Sequence, residues 1–295
     1  VSDFDLLVVG AGLTGSTVAE RAATLFGANV LLIDQLPHLA GSCYDTLSPD
    51  GLLYQPYGPH VFHTNASGIV EYLSAFTEWR QYEHRELARV GDRLVPFPFD
   101  RTLDDDRCYL DRFQVMPTDG FSVMVDRMTD HPRIERRLGV SYEDVRTAIS
   151  AEHVVFTGPI DGFFGYQFGR LPFRYRRYEF ETLDVERYQD VACVNEPGDS
   201  VPYIRTIEFK HSSGQIHPKT IIAREYPADR GHAATPIDTK ASRDMYRSYA
   251  ALAEETPGVT FVGRLAEFCN YEMDQAVAAA LRAVERLASL VGARS

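Results

Sequence analysis

The stretch DLLVVGAGLTGSTVAERAATLFGANVLLID, residues 5–34, decides the fold. An apolar, β-branched run from Asp5 to Val9 stops at Gly10, a helical pattern follows from Leu13 to Leu25, and a second buried strand spans Asn29 to Ile33. Strand, glycine turn, helix and strand in that order make a βαβ unit of a parallel sheet covered on both faces. Gly10, Gly12 and Gly15 carry the G-x-G-x-x-G spacing between strand and helix. The first glycine permits the tight turn, the second lets the backbone approach a pyrophosphate, and the third lets the helix pack closely on the strand. The helix N-terminus adds N–H donors and the positive end of its dipole. Asp34 stands at the tip of the second strand, where an acid accepts a ribose 2′-hydroxyl. An acid there disfavours NADP and leaves FAD or NAD, with Leu13, Thr14 and Gln35 flanking the same groups. Two further glycine positions point to FAD: the Gly41-Ser42 loop soon after Asp34, and Gly263 with Arg264 where VTFVGR leads the chain back to its first domain.

At 295 residues the chain can bury about three quarters of its unfolded surface, enough for two joined domains. A formal charge of -12 and a pI near 5.2 oppose nonspecific attraction to nucleic acid or an anionic membrane. A phosphate-bearing ligand therefore needs a local cluster of cations. Cys43, Cys108, Cys193 and Cys269 are far apart and form neither a disulfide framework nor a zinc-like spacing. With no apolar run of membrane length and no basic lead with an apolar signal region, a cytoplasmic location is expected.

Further along, a helix is expected over Ser67–Trp79, and LARVGDRLVPFPF turns at Gly91-Asp92 between two strands. DRTLDDDRCYLDRF breaks the pattern and reads as a connector. Then come a helix at Phe121–Met128, a short strand at Leu138–Val140, a helix at Tyr142–Ile149 and the buried strand HVVFTG. Alternating strands from Tyr178 to Tyr226 read as an antiparallel sheet, and helices at Ser242–Glu255 and Met273–Leu290 flank VTFVG. The expected class is α/β: a Rossmann-like FAD-binding domain with a parallel sheet, interleaved with an antiparallel-sheet substrate domain. Residues 1–66, 111–165 and 231–295 fall to the cofactor part, 67–110 to a substrate-side hairpin with a shortened connector, and 166–230 to the substrate sheet.

The runs YGPHVFHTN (57–65), VVFTGPIDGFFGYQFGRLPFR (154–174), VPYIRTIEFKH (201–211), REYP (224–227) and GRLAEF (263–268) stand in the order of a known family. The chain resembles the UDP-galactopyranose mutases, flavoenzymes that interconvert pyranose and furanose forms of a nucleotide-activated sugar. The resemblance implies FAD active in its reduced form, with flavin N5 as nucleophile at the anomeric carbon, an external flavin reductant and an activated-sugar substrate. It places Arg205 and Arg174 at the reacting sugar and its phosphate, and Tyr226 as a donor to that phosphate. It puts Tyr109, His84, Asn195 and Asn270 near the substrate. Arg264, with Gly263, Val140, Tyr271, Glu272 and Met273, would approach the cofactor.

His60 and Val61 fall in the family's flavin-side loop, and His63 would act beside the flavin or hold that loop's shape. No metal is expected at His60 and His63, because a zinc site needs three or four ligands and no Cys, Asp or Glu adjoins the pair.

The departures are specific. About ten residues join Asp100 to Asp111 where the family has a helical insertion carrying a mobile lid, the uracil-sandwiching aromatics, a second phosphate arginine and much of the dimer surface. Asn270 replaces a tyrosine, Glu272 an aspartate, Cys108 an aromatic and His84 an asparagine. These changes point to a leaving group smaller than UDP or held differently, namely a sugar phosphate or a nucleoside-monophosphate sugar. UDP-galactopyranose mutase activity proper, an FAD oxidoreductase of the amine-oxidase type and a non-catalytic flavoprotein stand as alternatives, and both a monomer and a homodimer stay open.

Overall fold

The computed structural model describes residues 3–97 and 108–291. The connector expected in place of the insertion, residues 98–107, therefore lies outside the described residues. The chain forms two units: residues 1–42, 123–173 and 235–295 make the first, and residues 43–122 and 174–234 make the second. Residues 43–66, expected with the cofactor part, thus fall in the second unit.

The first unit is built on β1 (Phe4–Val9), α1 (Leu13–Phe26) and β2 (Val30–Asp34). Its five parallel strands run in the order Ile134–Leu138, β2, β1, Ala151–Phe156, Val259–Phe261. Alternation sends β1 and β2 into two cores. Leu6, Val8, Val30 and Leu32 pack with Val18, Ala19, Ala22 and Ala23 of α1 and with Ala279, Ala280, Ala283 and Val284 of the last helix, Met273–Val291. Leu7, Val9, Leu31 and Ile33 pack on the other side with Val145 and Phe156, against Tyr142, Phe163 and Phe261. Burial on both faces is why these strands read as continuous apolar runs.

The second unit carries a seven-stranded sheet in the order Ala233–Pro236, Phe173–Leu183, Thr220–Ala228, Arg205–Glu208, Cys193–Asn195, Glu86–Val90, Arg93–Phe97, the first two strands crossing the unit boundary. Phe173–Leu183, Thr220–Ala228, Arg205–Glu208 and Cys193–Asn195 pair antiparallel in turn, as do Glu86–Val90 and Arg93–Phe97, but Cys193–Asn195 runs parallel to Glu86–Ala88, so the sheet is mixed rather than purely antiparallel. A three-stranded sheet, Phe62–Thr64, Phe113–Pro117 and Trp79–Gln81, lies in the same unit. The helix expected over Ser67–Trp79 ends at Leu73, and Trp79 begins a strand.

Asp45 shows how this unit ties distant segments together. It is buried, and its carboxylate accepts from the backbone N–H of Phe121 at 2.6 Å and of Ser122 at 2.9 Å, at the start of the helix Phe121–Thr129. Burial raises its pKa, and the hydrogen bonds from Ser122 and Phe121 oppose that rise. Removing such a cap and leaving donors unpaired costs about 1–2 kcal/mol. Asp45→Ala is accordingly expected to lower the denaturation midpoint by that equivalent in a urea titration; an unchanged midpoint would show that the cap carries no stability.

Candidate active site

In the first unit the motif glycines do what their spacing requires. Gly10 has φ +106°, in the region that favours glycine, and a side chain there would run into Thr157. Gly12 is the N-cap of α1 and offers no side-chain cap, which leaves the first turn's N–H groups to an incoming anion. Gly12 and Gly41 face one another: a Cβ on Gly41 would come within 3.0 Å of the Gly12 Cα. A bridge between Gly12 and Ala40 holds the two loops side by side. The result is a trough walled by bare backbone, as a pyrophosphate requires.

Asp34 is buried, accepting from the N–H of Ala11 at 2.7 Å and of Leu36 at 2.8 Å. Burial lifts its pKa, while those two bonds and the nearby His38 pull the other way. Each oxygen keeps a second lone pair for a hydroxyl donor. Val140 donates to the Asp34 carbonyl at 2.9 Å, so it joins this end of the sheet. Arg264 donates to the Ser42 hydroxyl at 3.0 Å, which brings the late arginine to the second small-residue loop. Gly263 has φ +100° and packs on Thr14. Gln35 is exposed, as is Asn270. Tyr271 packs against the α1 core, and Glu272 and Met273 lead into the last helix. A dinucleotide fits this set: the glycine trough for its pyrophosphate, Asp34 for its ribose and Arg264 beside Ser42.

In the second unit, one face of the seven-stranded sheet gathers an ionic cluster. Arg205 stands directly opposite Glu225 in the ladder, and its Nε donates to Glu225 at 2.7 Å. The other Glu225 oxygen pairs with Arg176 Nε, also at 2.7 Å. Arg205 Nη1 lies 3.5 Å from Glu86 Oε1. Burial alone would lower the Arg205 pKa, but the facing Cys193, Glu225 and Glu86 raise it instead. Glu86 is buried, accepts from Asn195 at 2.8 Å and sits 2.9 Å from His84 Nε2, whose Nδ1 is 2.9 Å from the Tyr82 hydroxyl. Burial would raise the Glu86 pKa, yet the partnership of His84, Arg205 and Asn195 holds it at about 2.

Alternation explains who joins this cluster and who does not. Arg176, Tyr178, Glu225, Arg205, Asn195, Cys193 and Glu86 share one face by register. Tyr226, next to Glu225 on its strand, belongs to the opposite face. There it lies under the Arg177 guanidinium, 4.2 Å from its ring centroid, and bonds to Glu179. The expectation that Tyr226 and Arg205 grip one phosphate is therefore corrected. Arg174 is the second residue of the long strand Phe173–Leu183 and is exposed. Glu86, Arg176 and Tyr178 were missed, although the phase of ELARV, with Glu86 and Ala88 buried, marks Glu86 as a buried carboxylate.

His63 lies on the strand Phe62–Thr64, with Nδ1 at 2.7 Å from Asp111, and its ring stacks on Tyr109 with centroids 3.7 Å apart. Tyr109 in turn lies over His84 at 6.1 Å, so His63, Tyr109 and His84 come together. Gln114, paired with His63 in the ladder, has the one buried side-chain acceptor without a partner among the described residues. His60 turns inward on its own loop, Nδ1 facing the Gly58 carbonyl at 2.9 Å, and Val61 is buried beside it. A side chain on Gly58, φ +94°, would run into the Tyr178 ring. His84, Glu86 and Cys108 place ligand atoms within 4.8 Å of one another. Glu86 Oε1, however, already faces both His84 and the Arg205 cation, which favours an ion-pair network over a metal centre there.

The fold and the glycine trough define a Rossmann-like dinucleotide-binding protein, and the model of NAD(P)-binding Rossmann-like domains matches residues 8–76. The model of the UDP-galactopyranose mutase family matches residues 76–271, and the chain belongs to that family, as a mutase of the class that interconverts pyranose and furanose nucleotide sugars. A probable UDP-galactopyranose mutase of Klebsiella pneumoniae is 26% identical, with 97% of this chain and 95% of that protein covered. A dTDP-fucopyranose mutase of Escherichia coli is 22% identical, with 95% and 97% covered. Among solved structures, that of a reduced UDP-galactopyranose mutase superposes with a TM-score of 0.76 at 12% identity, covering 98% of this chain and 96% of that one. The Klebsiella alignment runs over 370 positions, so at least 75 of them, 370 less the 295 residues of this chain, face no residue here.

Proposed function

We propose that the chain is a flavin-dependent mutase of an activated sugar whose leaving group is smaller than UDP or held differently. A sugar phosphate or a sugar carried on a nucleoside monophosphate meets that description. The observation that carries this reading is the Arg205 cluster: a guanidinium fixed at Nε by Glu225 and met at Nη1 by Glu86 at 3.5 Å, a long contact that a phosphate oxygen would compete with. Tyr226 does not share its face, and the positions missing relative to the Klebsiella protein agree with a thinner nucleotide site.

FAD, when bound and reduced, supplies a nucleophile for the anomeric carbon. The glycine trough, Asp34 and Arg264 hold and orient that cofactor in the first unit. In the second, Arg205 stabilises the negative charge that grows on the departing phosphate, and Glu225 keeps the guanidinium from rotating away. His63, fixed by Asp111, keeps the Phe62–Thr64 strand and Tyr109 in register.

The test is to reduce the flavoprotein anaerobically with dithionite and offer UDP-galactopyranose, dTDP-fucopyranose, nucleoside-monophosphate sugars and sugar 1-phosphates. Furanose is expected by NMR from the reduced protein alone, with the single-phosphate donors turned over fastest. No isomerisation with any donor would sink the reading, and fastest turnover of UDP-galactopyranose would reduce it to the family's own activity.

A further inference from the structure

The sugar chemistry does not call for Glu86. It is a buried carboxylate set against the very guanidinium proposed to receive the phosphate. Two guanidinium groups, Arg176 and Arg205, share the single carboxylate of Glu225, which alone would leave the cluster with one uncompensated positive charge. Glu86 cancels it. The carboxylate is held in place from three sides, by His84, Asn195 and Arg205, so it cannot swing clear when an anion arrives. Its low pKa keeps it ionised at any working pH.

We propose that Glu86 is a specificity-determining residue: a built-in anion that competes for the Arg205 Nη1 edge and selects a sugar joined through one phosphodiester over one joined through a diphosphate. The inference rests on the reading of Arg205 as the phosphate-binding residue. A phosphodiester brings one negative charge to the cluster and a nucleotide-sugar diphosphate brings two, so the diphosphate meets the larger repulsion from Glu86. His84, Tyr82, Asn195, Cys193, Cys108 and Arg205 are polar groups around Glu86, and the isosteric Glu86→Gln keeps an oxygen for His84 while removing the charge.

The experiment is calorimetric titration of the FAD-loaded protein with UMP and UDP, in which the nucleoside contribution cancels from the ratio. The wild-type protein is expected to bind UMP at least as tightly as UDP. Glu86→Gln should tighten UDP by about tenfold, with a smaller gain for UMP. Glu86→Asp, which keeps the charge, should retain the wild-type ratio, whereas a merely structural role would make it behave like any other disruption. The inference is overturned if the wild type prefers UDP tenfold, if Glu86→Gln leaves the ratio unchanged, or if neither nucleotide binds. Mutase assays on the same preparations separate the two readings. Furanose formation with an unmoved ratio sinks the role of Glu86 alone, and a shifted ratio without furanose formation sinks the mutase reading alone.

Discussion

Arg205→Ala is expected to lower kcat/KM for furanose formation by about 10²–10³-fold, the loss typical of removing one donor that meets developing charge. Because substrate binding also draws on this guanidinium, KM should rise together with the fall in kcat. The substitution has a second consequence. It leaves Glu225 and Glu86 facing each other's charge without the cation between them, and breaking a buried pair by deleting one partner costs about 3–5 kcal/mol. Arg205 is itself 23% exposed, so water reaches the gap and the cost should fall toward the lower end.

Arg205→Lys separates the two effects. An ammonium restores a cation between the carboxylates, so melting should return to near the wild-type value. It lacks the planar fork that can hold Glu225 through Nε and a phosphate through the outer nitrogens. Activity should therefore stay at least tenfold down while stability recovers. Full activity in a stably folded Arg205→Ala protein, with FAD bound, would remove Arg205 from the mechanism.

What the sequence alone carries of this fold and site is set by whether the signal is local. β1 and β2 are legible because burial on both faces makes Leu6–Val9 and Val30–Ile33 unbroken apolar runs, and α1 because Gly10, Gly12 and Gly15 mark its start. The strand Ile134–Leu138 was placed too late because it is an edge strand, with Glu135, Arg136 and Arg137 exposed and no apolar run to announce it. In the second unit the decisive information is register. Which face Tyr226 takes relative to Arg205 follows from Arg205 pairing with Glu225 across the ladder, and pairing between segments some twenty residues apart leaves no local trace. The parallel seating of Cys193–Asn195 on Glu86–Ala88, which brings Glu86 to Arg205, is more remote still.

The largest effect on the fold itself is expected at Gly15. A Cβ there would fall well inside contact distance of the Gly10 carbonyl oxygen, 3.0 Å from that carbonyl carbon and 3.2 Å from Val8 Cγ1. Two of those neighbours are backbone, fixed by the φ +106° turn at Gly10 and by the hydrogen bond from Gly10 N–H to the Ile33 carbonyl at 2.8 Å, so neither can step aside as a flexible side chain would. Gly15→Ala must push α1 off β1, and α1 shares one buried core with the last helix. Overpacking usually costs about 1–3 kcal/mol, and a clash with immovable backbone belongs at or above the top of that range. The protein should melt several degrees lower and purify without flavin. Gly12→Ala provides the contrast, since its Cβ meets nothing nearer than the Gly41 Cα at 3.7 Å. That variant should keep the melting temperature of the cofactor-free protein while weakening FAD, because the methyl enters the trough rather than the helix contact. If Gly15→Ala melted and bound FAD like wild type, the close approach of α1 to the Gly10 turn could not be what shapes the cofactor site, and equal behaviour of the two variants would mean that trough and helix packing act as one.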